Sequence, residues 1–271
     1  MIQMKKISII IPTYKPQAYI WECLDSISRQ KAVDFSFETI IILNGPLEPY
    51  HSQLETYILS HPKLNAILYY NKERGVSAAR NVGIAISSGE YITFVDDDDF
   101  ISESYLHGML EQAAPDCIVM AHPIAFNSIT KQVLPYRITK EYERTVKRGS
   151  IPALSVRCIY SGVWMKLFPR NIIEWCVFDT TLTNSEDSLF VFEISRKFKM
   201  IRCAPPNAIY YRRVRKNSAI NISTKRKVKN AIVMILKYTR VYTNAPSAYN
   251  FFFYITRILG TIKGVIVKNN Y

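Results

Sequence analysis

The first apolar run, ISIIIP (7–12), shows no polar alternation. Such a run fits a strand buried on both faces. In PQAYIWECLDSISRQ (16–30), Ile20, Leu24 and Ile27 instead recur at three- and four-residue steps. That spacing is one face of a helix, and Pro16 sits near its start, where proline is tolerated. The two patterns then take turns. ETIIILN (38–44) predicts a strand, PYHSQLETYILSH (49–61) a helix, and NAILYY (65–70) a strand. GVSAARNVGIAISSG (75–89) predicts a helix closed by glycine, and YITFV (91–95) a strand. Strands alternating with helices imply βαβ units and a largely parallel sheet.

Beyond residue 115 the segments shorten. Strands are expected at 117–126, 132–136, 161–168, 199–205 and 208–214, with a helix at 186–198. Two helices, about 223–242 and 247–268, close the chain, and the polar stretch 215–222 reads as the boundary before them. No repeat or low-complexity segment is apparent.

Composition changes this picture little. The 271 residues are 48% hydrophobic and 13% aromatic, enough for a sizeable core. No 18-residue apolar stretch lacks charge, so a spanning helix is not indicated. The first apolar run stops at Pro12, too short for a signal-peptide core, so a cytoplasmic location is expected. Cys23, Cys117, Cys158, Cys176 and Cys203 are scattered, odd in number and never spaced CxxC. That pattern argues for free thiols and against a zinc site.

Charge changes it more. Residues 1–193 hold 18 Lys/Arg and 22 Asp/Glu, whereas residues 194–271 hold 17 Lys/Arg and no acid. A wholly basic end suggests a polyanionic partner, nucleic acid or an anionic membrane surface. In YNFFFYITRILGTIKGVIVKNNY (249–271), Phe251, Tyr254, Ile255, Ile258, Leu259, Ile262, Val265 and Ile266 form an apolar stripe. Arg257, Lys263 and Lys268 flank it. Such a helix fits a membrane surface, and its charges oppose a spanning role. A homodimer contact and packing on the body are the alternatives. A nucleic-acid-binding role is disfavoured, because no binding module is recognisable.

The sharpest chemical signal is VDDDDF, where Asp96, Asp97, Asp98 and Asp99 follow a strand directly. Adjacent carboxylates raise one another's pKa and call for a positive partner. They lie past the carboxyl end of a strand, where open α/β sheets collect ligands. Carboxylates suit hard cations, so Mg²⁺ or Mn²⁺ beside a phosphate is the natural partner. The plain alternative is a solvated acidic turn. Two other strand tips carry Pro12, Thr13 and Tyr14, and Asn44. Tyr14 could pack on a nucleotide base and Asn44 hydrogen-bond to it, though each also fits an ordinary turn. Arg74 and Arg80 lie near the start of a helix, and both features favour phosphate. No GxGxxG follows the first strand and no GxxxxGK[ST] occurs, which removes the dinucleotide and P-loop readings.

Four blocks in order carry a family resemblance: ISIIIPTYK, RGVSAARNVGIAISSGEYITFVDDDDF, SGVWMKLFPRNII and NSEDSLFVFEIS. Together they resemble the family-2 glycosyltransferases of GT-A fold, from residue 5 to about residue 215. The implied fold is a mixed, mostly parallel sheet flanked by helices, with a C-terminal helical appendage. The implied division is a catalytic domain at 1–215, its nucleotide-binding half about 1–100 and its acceptor-binding half about 101–215. A basic amphipathic tail, 216–271, follows. The implied activity is inverting transfer of a hexosyl or N-acetylhexosaminyl group from a nucleotide-sugar, a UDP-sugar being favoured, to a glycan or lipid-linked acceptor. That work belongs to surface polysaccharide synthesis, on the inner face of the cytoplasmic membrane. A nucleotide-sugar-binding or nucleic-acid-binding protein without transferase activity is the alternative.

The resemblance also implies roles. Asp96 and Asp98 would hold Mn²⁺ or Mg²⁺ against the diphosphate, Asp98 directly, with Asp97 and Asp99 in ribose or water contacts. Asp187 would be the general base, and Glu186 would orient the acceptor or the base. Trp164 and Lys166 would shape the acceptor or donor pocket. Two departures stand out. The family often ends its second strand in an acidic DDGS pattern, where this chain reads ILNGPLEP. Many relatives also carry a histidine after the ED helix, where this chain reads IYYRRVRKNSAI. Arg212, Arg215, Lys216 or Ser218 is expected to take over that diphosphate contact.

Overall fold

A computed structural model describes residues 5–31, 34–148, 150–152, 162–215 and 224–266. The alternating runs of the first hundred residues become β1 (Lys5–Thr13), α1 (Tyr19–Ser28), β2 (Phe35–Leu43), α2 (Tyr50–Ser60), β3 (Ala66–Tyr70), α3 (Val76–Ile86) and β4 (Tyr91–Phe94). These four strands pair in parallel, in the order β3-β2-β1-β4. The unbroken apolar runs are explained by burial: Ile7, Ile9, Ile10, Ile11, Ile92 and Phe94 are all sealed from solvent. Helix α3 lies so close to β1 that a Cβ on Gly83 would sit 2.4 Å from the Ile10 side chain.

The chain continues through β5 (Phe100–Ile101), α4 (Tyr105–Glu111), β6 (Cys117–Met120), β7 (His122–Asn127), β8 (Val133–Leu134), α5 (Arg137–Val146), β9 (Ser150–Pro152), β10 (Lys166–Pro169) and α6 (Arg170–Ile173). It ends in α7 (Glu186–Ile194), β11 (Met200–Cys203), β12 (Ile209–Val214), α8 (Thr224–Asn244) and α9 (Phe251–Ile266). The main sheet extends as β4-β10-β6-β11-β9, antiparallel on both sides of β10 and at the β9 edge. A second sheet has the order β5-β12-β7-β8.

The strand expected over 117–126 is therefore two strands in two sheets. The Ala121 N–H donates to Met165, just before β10 of the main sheet, and the next N–H, of His122, donates to Ala208, just before β12 of the small sheet. One apolar run serves both sheets, so the change of partner leaves no break in hydropathy. The strand expected at 161–168 forms only as β10, and residue 161 lies outside the described residues. Cys23, Cys117, Cys176 and Cys203 are free, buried thiols; Cys158 lies outside the described residues.

The last two helices do not stand apart from the body. Met234, Tyr238 and Phe253 join the main core, and the Phe192 ring of α7 meets Tyr238, Tyr249 and Phe253 at 5.2, 5.2 and 5.7 Å. Of the three cations expected to flank the 249–271 stripe, Arg257 instead turns inward. Arg257 is buried, and its guanidinium donates to the Ser188 backbone and hydroxyl of α7 and to Tyr238. No helix among the described residues is long and apolar enough to cross a membrane.

Candidate active site

The order β3-β2-β1-β4 makes the chain reverse its direction of travel across the sheet at β1. After β1 the chain steps outward through β2 and β3, then returns to place β4 on β1's other side. The carboxyl ends of β1 and β4 therefore flank a crevice, the usual ligand position in open α/β sheets. Thr13 at the tip of β1 closes its floor, donating from its hydroxyl to Asp97 at 2.5 Å.

The aspartates after β4 occupy a tight turn, with the Asp99 N–H donating to the Asp96 carbonyl at 3.0 Å. The turn sends the four carboxylates in four directions, and each finds a different partner. Asp96 meets the Arg80 guanidinium at 3.1 Å, Asp97 takes the Thr13 hydroxyl, and Asp98 meets Arg215 at 2.7 Å. Asp99 turns inward, accepting from the Arg213 backbone N–H at 2.7 Å and from the Tyr210 hydroxyl. Burial lifts Asp97 to about 7 despite the Thr13 hydrogen bond, with Asp98 and Asp96 adding repulsion. Burial and Asp96 also push Asp98 upward, opposed by Arg215. Asp99 rises furthest, through burial and then its two neighbours. The expectation that Asp99 contacts ribose or water is thus corrected: it is 4% exposed and pins β12 to the turn.

Arg80, on α3, joins this turn to the ED motif. Its guanidinium reaches Asp187 at 2.6 Å, Asp96 at 3.1 Å and Glu186 at 3.6 Å. The side chain is 4% exposed and packs over Phe178 at 5.4 Å. Burial disfavours its charge, but the three carboxylates hold it protonated. In this state Arg80 is committed to protein acids rather than open to a phosphate. Glu186 and Asp187 form the first turn of α7, entered through Ser185 in the left-handed region at φ 66°. Burial raises the Asp187 carboxyl to about 6, opposed chiefly by Arg80. Its second oxygen accepts from the Val163 N–H, at 3.4 Å.

The crevice opens into a cleft of about 560 Å³. Pro12, Thr13, Tyr14, Asn44 and Arg74 line one part of it, and Asp96, Asp97, Asp98 and Arg215 the other. Asn44 is buried, and its amide donates to the Gly75 carbonyl at 2.7 Å. Gly75 starts α3 at φ 108°, a conformation that side chains rarely adopt. Lys15, Gln17 and Tyr19 also line the cleft; the sequence reading did not mark them.

Two expected contacts move. Arg212 does not line this cleft. Alternation along β12 aims Arg213 at Asp98 and Glu22, while Arg212 lies over the Tyr136 and Trp164 rings, at 5.2 and 5.7 Å. Trp164 also meets Tyr210 at 5.2 Å, so an aromatic wall stands beside the aspartate turn. Lys166 is 1% exposed within β10, and its ammonium donates to the Gly162 carbonyl, so it shapes no pocket. Lys216 and Ser218 lie outside the described residues. The missed residues were Arg213 and Tyr210, which hold the turn in place; counting alternate positions in the 208–214 strand would have separated Arg213 and Arg215 from Arg212.

Divalent-metal binding is compatible with this donor set. Among the described residues no three His, Cys, Asp or Glu side chains converge as a ready-made cage. Asp96 and Asp98 nevertheless both reach the cleft, and Mg²⁺-type ions use one or two protein carboxylates and leave their other positions to phosphate and water. The upward pull on Asp98 marks a spot where one more positive charge would be welcome.

Comparison with known proteins agrees with this architecture. The chain is 27% identical over 215 residues to the uncharacterised glycosyltransferase EpsJ of Bacillus subtilis (strain 168), covering 76% of this chain and 60% of EpsJ. It is 25% identical over 215 residues to the poly(ribitol-phosphate) beta-N-acetylglucosaminyltransferase TarS of Staphylococcus aureus (strain MW2), covering 77% of this chain and 35% of TarS. It thus spans less than two thirds of either relative. Among solved structures, S. aureus TarS 1-349 in complex with UDP-GlcNAc superposes with a TM-score of 0.69 at 22% identity, covering 88% of this chain and 66% of that one. The mannosyltransferase PcManGT of Pyrobaculum calidifontis, in complex with GDP-Man and Mn²⁺, gives 0.65 at 18% identity, covering 99% and 72%. These likenesses show the GT-A fold. Residues 8–172, more than half of the chain, match the sequence model of glycosyl transferase family 2, and the chain belongs to that family.

Proposed function

We propose that this chain is an inverting, metal-dependent glycosyltransferase that moves a sugar from a nucleotide-sugar to a hydroxyl of a surface polysaccharide or related glycan. The observation that carries this reading is the Arg80 guanidinium, which touches both Asp96 of the aspartate turn and Asp187 of the ED motif. It ties the leaving-group end of a displacement to its proton-accepting end.

The nucleoside would lie along Tyr14, Asn44 and Arg74, with the diphosphate toward Asp96, Asp98 and Arg215. Asp96 and Asp98 would hold Mn²⁺ or Mg²⁺, which when bound offsets the negative charge gathering on the departing diphosphate. Arg215, half-exposed at the same lip beside Asp98, would contact that diphosphate in place of a histidine.

Arg80 occupies one Asp187 oxygen and leaves the other to accept a proton. With its pKa about 6, Asp187 is ionised near neutrality yet basic enough to assist a hydroxyl. The acceptor oxygen bonds to the anomeric carbon as the bond from that carbon to the diphosphate oxygen breaks. The hydroxyl proton passes to Asp187, and attack opposite the leaving group inverts the carbon. The Trp164–Tyr136 wall offers rings for stacking an acceptor sugar. The nucleotide-sugars bound by the structural neighbours support UDP-GlcNAc as the first donor to try, with GDP-mannose as the contrast.

The test measures thermal stabilisation and turnover with UDP-GlcNAc, UDP-glucose and GDP-mannose, each with Mn²⁺ or with chelator. One donor should raise the melting point only with metal and should be consumed. Metal-independent stabilisation by every donor, or by none, would refute the reading. Binding without turnover would make the chain a sugar-nucleotide-binding protein instead.

A further inference from the structure

Helices α8 and α9 pack side by side through Thr239–Tyr254 and Tyr242–Tyr254 contacts, and each anchors on the body by one face. On α8 that inner face holds Met234 and Tyr238; on α9 it holds Phe253 and Arg257. Helical spacing fixes what lies opposite. On α8 it is Val228, Ile232 and Leu236, with Leu236 63% exposed. On α9 it is Phe252, Leu259 and Ile262, with Phe252 77% exposed. Both outer faces point away from the core, on helices packed side by side. Lys225 and Lys229 continue the same face toward the N-terminal end of α8, Arg240 flanks it, and Lys263 flanks the α9 stripe; all four are exposed, and no acid occurs anywhere in residues 194–271.

We infer that this two-helix surface docks onto an anionic lipid bilayer, lying in the interface plane with its apolar side chains among the acyl chains and its lysines among the headgroups. Charge selects this occupant. A second copy meeting face to face would oppose like-charged rims, and no acid is present to compensate. A nucleic acid would answer the lysines but would leave Leu236, Phe252 and Leu259 against polar phosphate. An anionic bilayer satisfies both the apolar centre and the basic rim. Neither helix spans, so the attachment is peripheral and reversible.

The test is co-sedimentation of the full chain with phosphatidylcholine vesicles with and without about 30% phosphatidylglycerol. Two double variants are compared, Leu236→Asp with Leu259→Asp and Lys225→Glu with Lys229→Glu. These positions are exposed, so unchanged melting temperatures serve as the fold control. The wild type should pellet with the anionic vesicles only, and each double variant should partition at least about tenfold less. A wild type that stays in solution would overturn the inference, as would variants that pellet equally well. Retention on DNA without vesicle binding, or self-association abolished by the leucine variants, would assign the surface to the other occupants.

Discussion

Replacing Arg80 by methionine keeps most of its length and its packing over Phe178 but removes one buried cation. Asp96, Asp187 and Glu186 lose a partner held at 3.1, 2.6 and 3.6 Å. Removing one side of a buried ion pair typically costs about 3–5 kcal/mol. In a domain of this size that lowers the melting temperature by roughly 5–10 °C. The loss should depend on pH with a definite sign. Burial already raises Asp187 to about 6 with Arg80 opposing it, so removing Arg80 lifts the carboxyl further. An acid whose folded-state pKa lies above its unfolded value favours the folded state when protonated, and stability falls as pH rises through that window. The variant's deficit should therefore be larger at about pH 8 than at about pH 5.5. Urea unfolding at both pH values, on wild type and variant, measures it. An equal deficit at both, or none at either, would refute the Arg80 bridge as a buried electrostatic tie. Arg80→Lys, which keeps the charge but loses the forked contact, should lie between the two.

Asp187→Asn should lower the transfer rate by about 10²–10⁴ while leaving donor affinity, measured by calorimetry, nearly unchanged. The wild-type rate should be level near neutrality and fall about tenfold per pH unit below about 6, tracking ionisation of Asp187; a limb near the ordinary carboxylate value would remove Asp187 as the base. Trp164→Ala should raise the acceptor KM about tenfold with donor affinity intact, since one stacking ring is worth about 1–3 kcal/mol. Gly83→Ala pits a helix-propensity gain of about 1 kcal/mol against overpacking of about 1–3 kcal/mol on Ile10, so chemical denaturation should show net destabilisation.

The first hundred residues were legible because parallel strands buried on both faces carry dense apolar runs, as Ile9–Ile11 of β1 and Ile40–Leu43 of β2 do. The aspartate turn was legible because one residue separates Asp96 from β4, and ligands gather at that end of a sheet. Other features had no local signal. The approach of Arg80 to Asp187 spans 107 residues of sequence. Nothing in 117–126 marks the step from one sheet to the other at Ala121, because both sheets need apolar residues there. Lys166 misled because buried lysines are rare, and the Gly162 carbonyl that receives this one carries no signal in the sequence. On α9, apolar residues occupy both faces, so spacing alone could not tell the anchoring side, Phe253 and Arg257, from the outer side.

The Arg257 contact to Ser188 has a mechanical corollary. Ser188 directly follows Asp187, so the proton acceptor and the terminal hairpin share one splint. Trimming the chain ahead of Phe251 would not simply shed an accessory. It would strip Phe253 from Phe192 and unfasten α7 one residue from its reactive carboxylate. A shortened protein that lost turnover would therefore report a slackened hinge pin as readily as a lost foothold on lipid, which is why point changes on the outer face separate those two causes and deletion does not.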